Sequence, residues 1–148
     1  MRSRSREAPL VVSEGMVRSY RDLLVWSEGM DLAEACYRLS KDFPRDEASG
    51  MTSQVRRSAV AIPANIAEGY RRQNPGEFVR FLRIAQGSLK ELETHLLLAS
   101  RVGLASDDET ARILERCVTV GKMRRSLIRS IQARTKDGKS KRVGNRVQ

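Results

Sequence analysis

Histidine occurs once in this chain of 148 residues, cysteine twice, and aromatic side chains make up 5% of it. A hydrolase or metalloenzyme gathers several titratable side chains as nucleophile, base or ligands. Here His95 has only Glu91, one helical turn earlier, as an obvious partner, which suits the edge of a helix better than catalysis. Glu28, Asp31 and Glu34 recur at helical spacing, but no ExxH accompanies them, so a di-metal site in a bundle core lacks its imidazoles. Gly15, Gly29, Gly50 and Gly69 stand singly and build no phosphate loop. Cys36 and Cys117 are far apart, without CxxC spacing, and read as reduced structural residues. Few aromatics also mean few platforms on which bases could stack. The expectation is a protein that is not an enzyme, with no catalytic residue, no metal site and no cofactor.

Long apolar runs are missing as well. No stretch approaches the roughly 18 consecutive apolar residues of a membrane span, and the start of the chain lacks the apolar run of a signal peptide. A cytoplasmic protein without membrane association is expected. What the chain has in excess is positive charge, 28 Lys+Arg against 18 Asp+Glu for a net +10, which calls for a polyanionic partner such as nucleic acid. Residues 135–148 hold Lys136, Lys139, Lys141, Arg142 and Arg146 against Asp137, with Gly138 and Gly144 among them. They read as a disordered basic tail. Residues 1–18, with Arg2, Arg4 and Arg6, read as a disordered basic arm. Between them, residues 19–134 form one domain that is basic in its own right.

Apolar spacing in that domain is helical throughout. Leu23, Trp26, Met30, Ala33 and Tyr37 step by three and four along a first helix over about 22–42, capped by Ser19 or Asp22 and ended at Asp42-Phe43-Pro44. Met51, Val55, Ala59, Ile62, Ile66 and Tyr70 mark a second helix. Pro63 lies inside it, removing a donor and crowding the carbonyl of Ala59, so a kink near Ile62 is expected in preference to a break. Asn74-Pro75-Gly76-Glu77 is a compact start signal for a third helix over about 75–102, whose stripe is Phe78, Phe81, Leu82, Ala85, Leu89, Leu92, Leu96 and Ala99, with Gly103 as its stop. Ser106 with Glu109 forms a capping box before a fourth helix that runs to about Arg134 on Ile113, Cys117, Val120, Leu127 and Ile131. Arg124 fills the stripe position where an apolar residue is due. With no strand alternation and short connections, the pattern predicts an all-α, antiparallel up-down-up-down four-helix bundle with a kinked second helix.

Two surface features follow from this layout. Arg80, Arg83 and Lys90 lie on the side of the third helix away from its stripe, with Gly87 as a gap that would let a partner approach the backbone. Lys122, Arg125 and Arg129 share a face of the fourth helix, and Arg56, Arg57, Arg71 and Arg72 bracket the second. Together these ten are the candidate nucleic-acid contacts, suited to phosphates more than to bases. Each strip could equally be a solvated face. The second feature is apolar excess: Leu96, Leu97, Leu98 and Ala99 are consecutive and point nearly all round the helix, so Leu97 and Leu98 need cover from the loop after Gly103 or from another subunit.

The runs YRDLLVW over 20–26, TSQVRRSAVAIPANIAEGY over 52–70 and EFVRFLRIAQGSLKELET over 77–94 resemble the four-helix-bundle proteins encoded in intervening sequences of bacterial 23S ribosomal RNA genes. The likeness covers about residues 19–132. It implies a bundle without catalytic activity that assembles as a ring-like homopentamer. The chain is also distantly similar to accessory proteins of diversity-generating retroelements, whose basic pentameric barrels bind nucleic acid and a reverse transcriptase. This likeness adds RNA, self-association and, by distant analogy, a reverse transcriptase to the expected partners. The family motif falls on Arg57, Pro63, Asn65, Glu68, Gly69, Glu77, Phe78 and Arg80. Of these, Arg57, Pro63, Asn65 and Glu68 read as holding the kink or a subunit contact, with Glu68 four residues before Arg72 in the favourable order for a helix pair. The alternative to RNA association is a protein-interaction scaffold that binds no nucleic acid.

Overall fold

The computed structural model describes the backbone of residues 17–144 and side chains through residue 138. Residues 1–16 of the expected basic arm, and 145–148 of the tail, lie outside the described residues. Four α-helices account for nearly all of the described chain: α1 (Leu24–Ser40), α2 (Met51–Arg71), α3 (Pro75–Arg101) and α4 (Asp107–Gly144). Short 3-10 turns at Tyr20–Asp22 and Arg45–Glu47 precede α1 and α2. Each helix packs against its neighbour in sequence, and α1 closes the ring against α4. The fold is an all-α four-helix bundle with no strand among the described residues.

The helix starts are set by side chains that accept from otherwise orphaned backbone N–H groups. Ser19 Oγ accepts from Arg21 N at 3.2 Å, and Asp22 Oδ2 accepts from Arg18 N at 2.8 Å, which fixes the turn before α1. Glu47 Oε2 takes the Met51 N–H at 3.0 Å, a cap supplied from the preceding turn because Gly50 has no side chain. Asn74 Oδ1 takes the Glu77 N–H at 3.0 Å. At α4 the reciprocal box closes, with Glu109 N donating to Ser106 Oγ at 3.2 Å and Ser106 N donating to Glu109 Oε2 at 3.3 Å. Gly103 ends α3 at φ +79°, and Gln73 makes the α2–α3 turn at φ +52°.

One phase and one boundary differ from the sequence reading. In α1 the buried face is Val25, Gly29, Leu32, Ala33, Cys36 and Ser40. Met30 and Tyr37, which the apolar spacing placed inward, are 45% and 46% exposed. The phase is offset because Gly29 gives α1 its close approach: a Cβ there would lie 3.5 Å from Pro63 Cβ. Pro63 is buried in α2 against that glycine, and the helix runs from Met51 to Arg71 without a break, as the sequence reading expected. Asn65 Nδ2 donates back to Ala61 O at 2.7 Å just beyond the proline. The other difference is that α4 continues to Gly144, so the disordered tail expected from residue 135 is corrected for residues 135–144. Lys and Arg are good helix formers, no proline interrupts, and cations near a helix C-terminus complement its dipole, which carries the chain through Gly138.

The core is one cluster, with Leu32, Val55, Ile66, Leu82, Leu92 and Leu96 fully buried at its centre. Cys36 and Cys117 belong to it as free thiols. Burial pushes each thiol from the ordinary 9.0 up to about 12, with Cys36 adding to the effect on Cys117. A raised thiol pKa favours the folded state fully below about 9, and that contribution is lost as pH rises towards about 12. We expect neither cysteine to react with iodoacetamide at pH 8 in the native protein and both to react in denaturant, read by intact-mass spectrometry. Rapid native labelling would contradict this packing.

Candidate nucleic-acid interface

The ten predicted basic contacts separate into two groups once their partners are known. Arg71 and Arg72 both pair with Glu68, at 2.7 and 3.0 Å. The hydrogen bond from Arg71, with Arg72 adding to it, holds the Glu68 carboxyl below its ordinary range. Arg80 pairs with Glu77 at 3.1 Å, and Lys90 with Glu93 at 3.0 Å. Arg72 and Arg80 also lie against the ring of Phe81, at 5.2 and 4.7 Å from its centroid. These four cations are therefore neutralised locally, although such exposed pairs contribute little to stability and can exchange partners. The Glu68–Arg72 pair expected from the spacing is present, with Arg71 sharing the same carboxylate.

The remaining six have no carboxylate partner among the described residues. Arg56 is held structurally, donating from Nε to Ser40 Oγ at 2.8 Å and stacking 4.6 Å from the Tyr37 centroid, so it ties α2 to α1. Arg57 is exposed beside it. Arg129 donates to Ser126 Oγ at 3.1 Å. Arg83 on α3 and Lys122 and Arg125 on α4 are exposed. Gly87, the gap in the α3 strip, is open, since a Cβ there would meet nothing within 4 Å.

The residue that sequence reasoning left out of the site is Arg124. It is 7% exposed, and its Nε is buried without a hydrogen-bond partner. Burial, with Arg125 and then Arg83 adding to it, lowers its pKa from the usual arginine value. On α4 one turn earlier, a Cβ on Gly121 would lie 3.5 Å from Leu89 Cδ2 of α3, an ordinary packing contact. Gln86 Oε1 is also buried without a partner. The signal was visible as an arginine in an apolar stripe, but its neighbours are not.

An unpaired buried donor costs about 1–3 kcal/mol relative to an apolar side chain of similar shape. Arg124→Met is therefore expected to raise stability by about 1 kcal/mol or more, a shift of roughly 2–4 °C in Tm, measured by thermal unfolding. A fall in Tm would show that the guanidinium is already satisfied.

No group of three or more His, Cys, Asp or Glu that could hold a metal occurs among the described residues. His95 Nε2 meets Glu91 Oε1 at 3.4 Å as an isolated pair on α3. A depression of about 990 Å³ at one end of the bundle is lined by apolar residues such as Leu23, Phe78, Leu127 and Ile131, with Tyr70 and Arg134 as its ionisable groups. No helix among the described residues is long and apolar enough to cross a membrane.

The 23S rRNA-intervening sequence protein model matches residues 21–126, which span all of α1 to α3 and the first half of α4. The chain belongs to that family. A solved structure of a protein of unknown function from the S23 ribosomal protein family of Bacteroides thetaiotaomicron VPI-5482 is similar, at 27% identity and a TM-score of 0.65. The match covers 71% of this chain and 98% of that one. No curated protein matches the chain. Family membership agrees with the helical bundle and with the three sequence runs, and the relative's structure carries no function of its own to transfer.

Proposed function

We propose that this 23S rRNA-intervening sequence protein is a non-enzymatic, homo-oligomeric bundle that associates with nucleic acid, RNA in particular, through its basic faces. The observation that supports the reading is that Arg83 on α3 and Lys122, Arg124 and Arg125 on α4 make no ion pair with a carboxylate among the described residues. Unpaired basic groups meet a phosphate without first giving up a carboxylate partner. The net charge of +10 supplies long-range attraction for the same partner. The reverse transcriptase bound by the distant retroelement relatives rests on fold likeness and adds no residue to this set.

Self-association is supported by Leu97 and Leu98, which remain 53% and 45% exposed because the loop after Gly103 does not cover them. Val102 continues the patch at 60%. Apolar groups gathered at one end of a helix are the usual mark of an interface. Light scattering after size exclusion should give a multiple of the 16.7 kDa chain mass, five for the ring expected from the family likeness. A monomer at micromolar concentration would remove the assembly part of the proposal.

Sequencing the nucleic acid that co-purifies at low salt tests the partner class. RNA fragments should be recovered and be released by nuclease. Purified protein free of nucleic acid, with protein partners retained after nuclease treatment, would instead support the scaffold reading.

A further inference from the structure

A shallow depression of about 500 Å³ opens between α1 and the start of α2. Its polar lining is Tyr37 of α1 with Thr52, Ser53, Arg56 and Arg57 of α2, and no carboxylate lines it among the described residues. Thr52, Arg56 and Val60 follow one another at four-residue steps, with Ser53 and Arg57 beside them, so one face of α2 presents hydroxyls and cations to Tyr37. The groups are accessible to a ligand, since Tyr37 is 46% exposed and Ser53 and Arg57 are exposed.

Two of these groups are already arranged. Arg56 donates from Nε to Ser40 Oγ at 2.8 Å, and its guanidinium lies 4.6 Å from the centroid of the Tyr37 ring. Ring and guanidinium are thus held against each other, so little side-chain order is lost when another flat group joins the stack. Arg57 makes no ion pair with a carboxylate among the described residues. Its charge and the hydroxyl donors of Thr52 and Ser53 suit the oxygens of a phosphate. A nucleotide carries both a flat ring and a phosphate. In a duplex the faces of a base are covered by its neighbours, so only an unpaired nucleotide has a face to offer.

We propose that the α1–α2 depression binds one unpaired nucleotide of single-stranded RNA. The base stacks on the Tyr37–Arg56 pair, and the adjoining phosphate lies against Arg57 and the hydroxyls of Thr52 and Ser53. The site rests on the RNA reading above and deepens it, because it adds a contact to a base. A preference for single strands over duplexes follows, which phosphate contacts alone do not confer.

The test is fluorescence anisotropy of the full chain with a single-stranded RNA oligonucleotide, and with the duplex it forms with its complement, across a salt series. The wild type should bind the single strand more tightly. Tyr37→Ala should weaken single-strand binding by about tenfold and leave the salt slope and duplex binding unchanged, because stacking releases no counterion. Tyr37→Phe should restore the affinity. Arg57→Ala should weaken single-strand binding and make the salt slope shallower by about one. Arg57 is exposed and can be removed without disturbing the core, so it tests the site even where Tyr37→Ala fails to fold. Single-strand affinity unaltered by either change to alanine overturns the site and leaves the RNA association standing. Equal weakening of single strand and duplex by Tyr37→Ala also overturns it. A lower mass for either variant in light scattering would show that this face meets a second copy of the chain, which overturns the assignment as well. If the wild type binds neither form of RNA, that association fails, and thermal unfolding with adenosine monophosphate decides the site: stabilisation of the wild type but not of Tyr37→Ala keeps it as a nucleotide site, and no stabilisation overturns it.

Discussion

Replacing Gly69 by valine should lower stability by roughly 2–4 kcal/mol, because the new side chain has nowhere to go without forcing the core apart. A Cβ at that position would lie 2.6 Å from Phe81 Cβ and 3.3 Å from Phe78 Cδ1. Phe81 Cβ is fixed to the backbone of α3, so rotation of a side chain cannot relieve the overlap; α2 and α3 must separate. Their contact is the most extensive in the bundle, and it also seats Phe81 between Arg72 and Arg80. The urea midpoint should fall with little change in slope. Gly87→Ala provides the contrast, since the added methyl meets nothing and removes the conformational freedom of an exposed helical glycine. It should stabilise by about 0.5–1 kcal/mol. A Gly69→Val protein as stable as the wild type would mean that the two helices are not packed as described.

Leu92→Ala is expected to cost about 2–5 kcal/mol, the range for a leucine removed from a well-packed core that relaxes only in part. Leu92 is 0% exposed on α3, which packs against both α2 and α4. Leu97, on the same helix but 53% exposed, makes the informative comparison. In a monomer Leu97→Ala should change the unfolding free energy by less than about 0.5 kcal/mol. In an assembly that covers the patch, the cost should rise with protein concentration, because unfolding is then linked to dissociation. Chemical denaturation at two concentrations separates the cases.

Much of this fold is readable from local chemistry. Asn74, Ser106 and Glu109 announce their helix starts because capping needs a given side chain at a given offset, and the structure places those hydrogen bonds as the spacing requires. The α3 stripe from Phe81 to Ala99 reads correctly, being dominated by large apolar residues at regular intervals, while at its start Val79 is buried and the expected Phe78 only half-buried. The first helix misleads because its largest apolar side chains, Trp26, Met30 and Tyr37, draw the pattern one position from the true buried face. That face is built on Gly29, Cys36 and Ser40, small residues whose burial depends on how closely another helix comes. Distance between helices is a tertiary quantity, and a single stripe does not contain it.

Legibility of the candidate site divides along the same line. The pairs Glu68–Arg71, Glu77–Arg80 and Lys90–Glu93 lie at helical spacing, so local neutralisation of those cations was available from the sequence. The burial of Arg124, with Arg83 of the neighbouring helix adding to its effect, was not, because it depends on how α3 and α4 pack. A residue that breaks its stripe, as Arg124 does, is where local pattern and overall fold disagree, and such conflicts tend to coincide with function.

The central claim is that unpaired basic side chains on this bundle are there for phosphates. Affinity of the wild-type chain for an RNA oligonucleotide, measured by anisotropy as a function of salt, tests it directly. With three or four phosphates neutralised, affinity should fall roughly 10- to 100-fold between about 50 and 200 mM salt, along a straight double-logarithmic line. Absence of binding at the low-salt end, or an affinity that does not change with salt, would contradict the account.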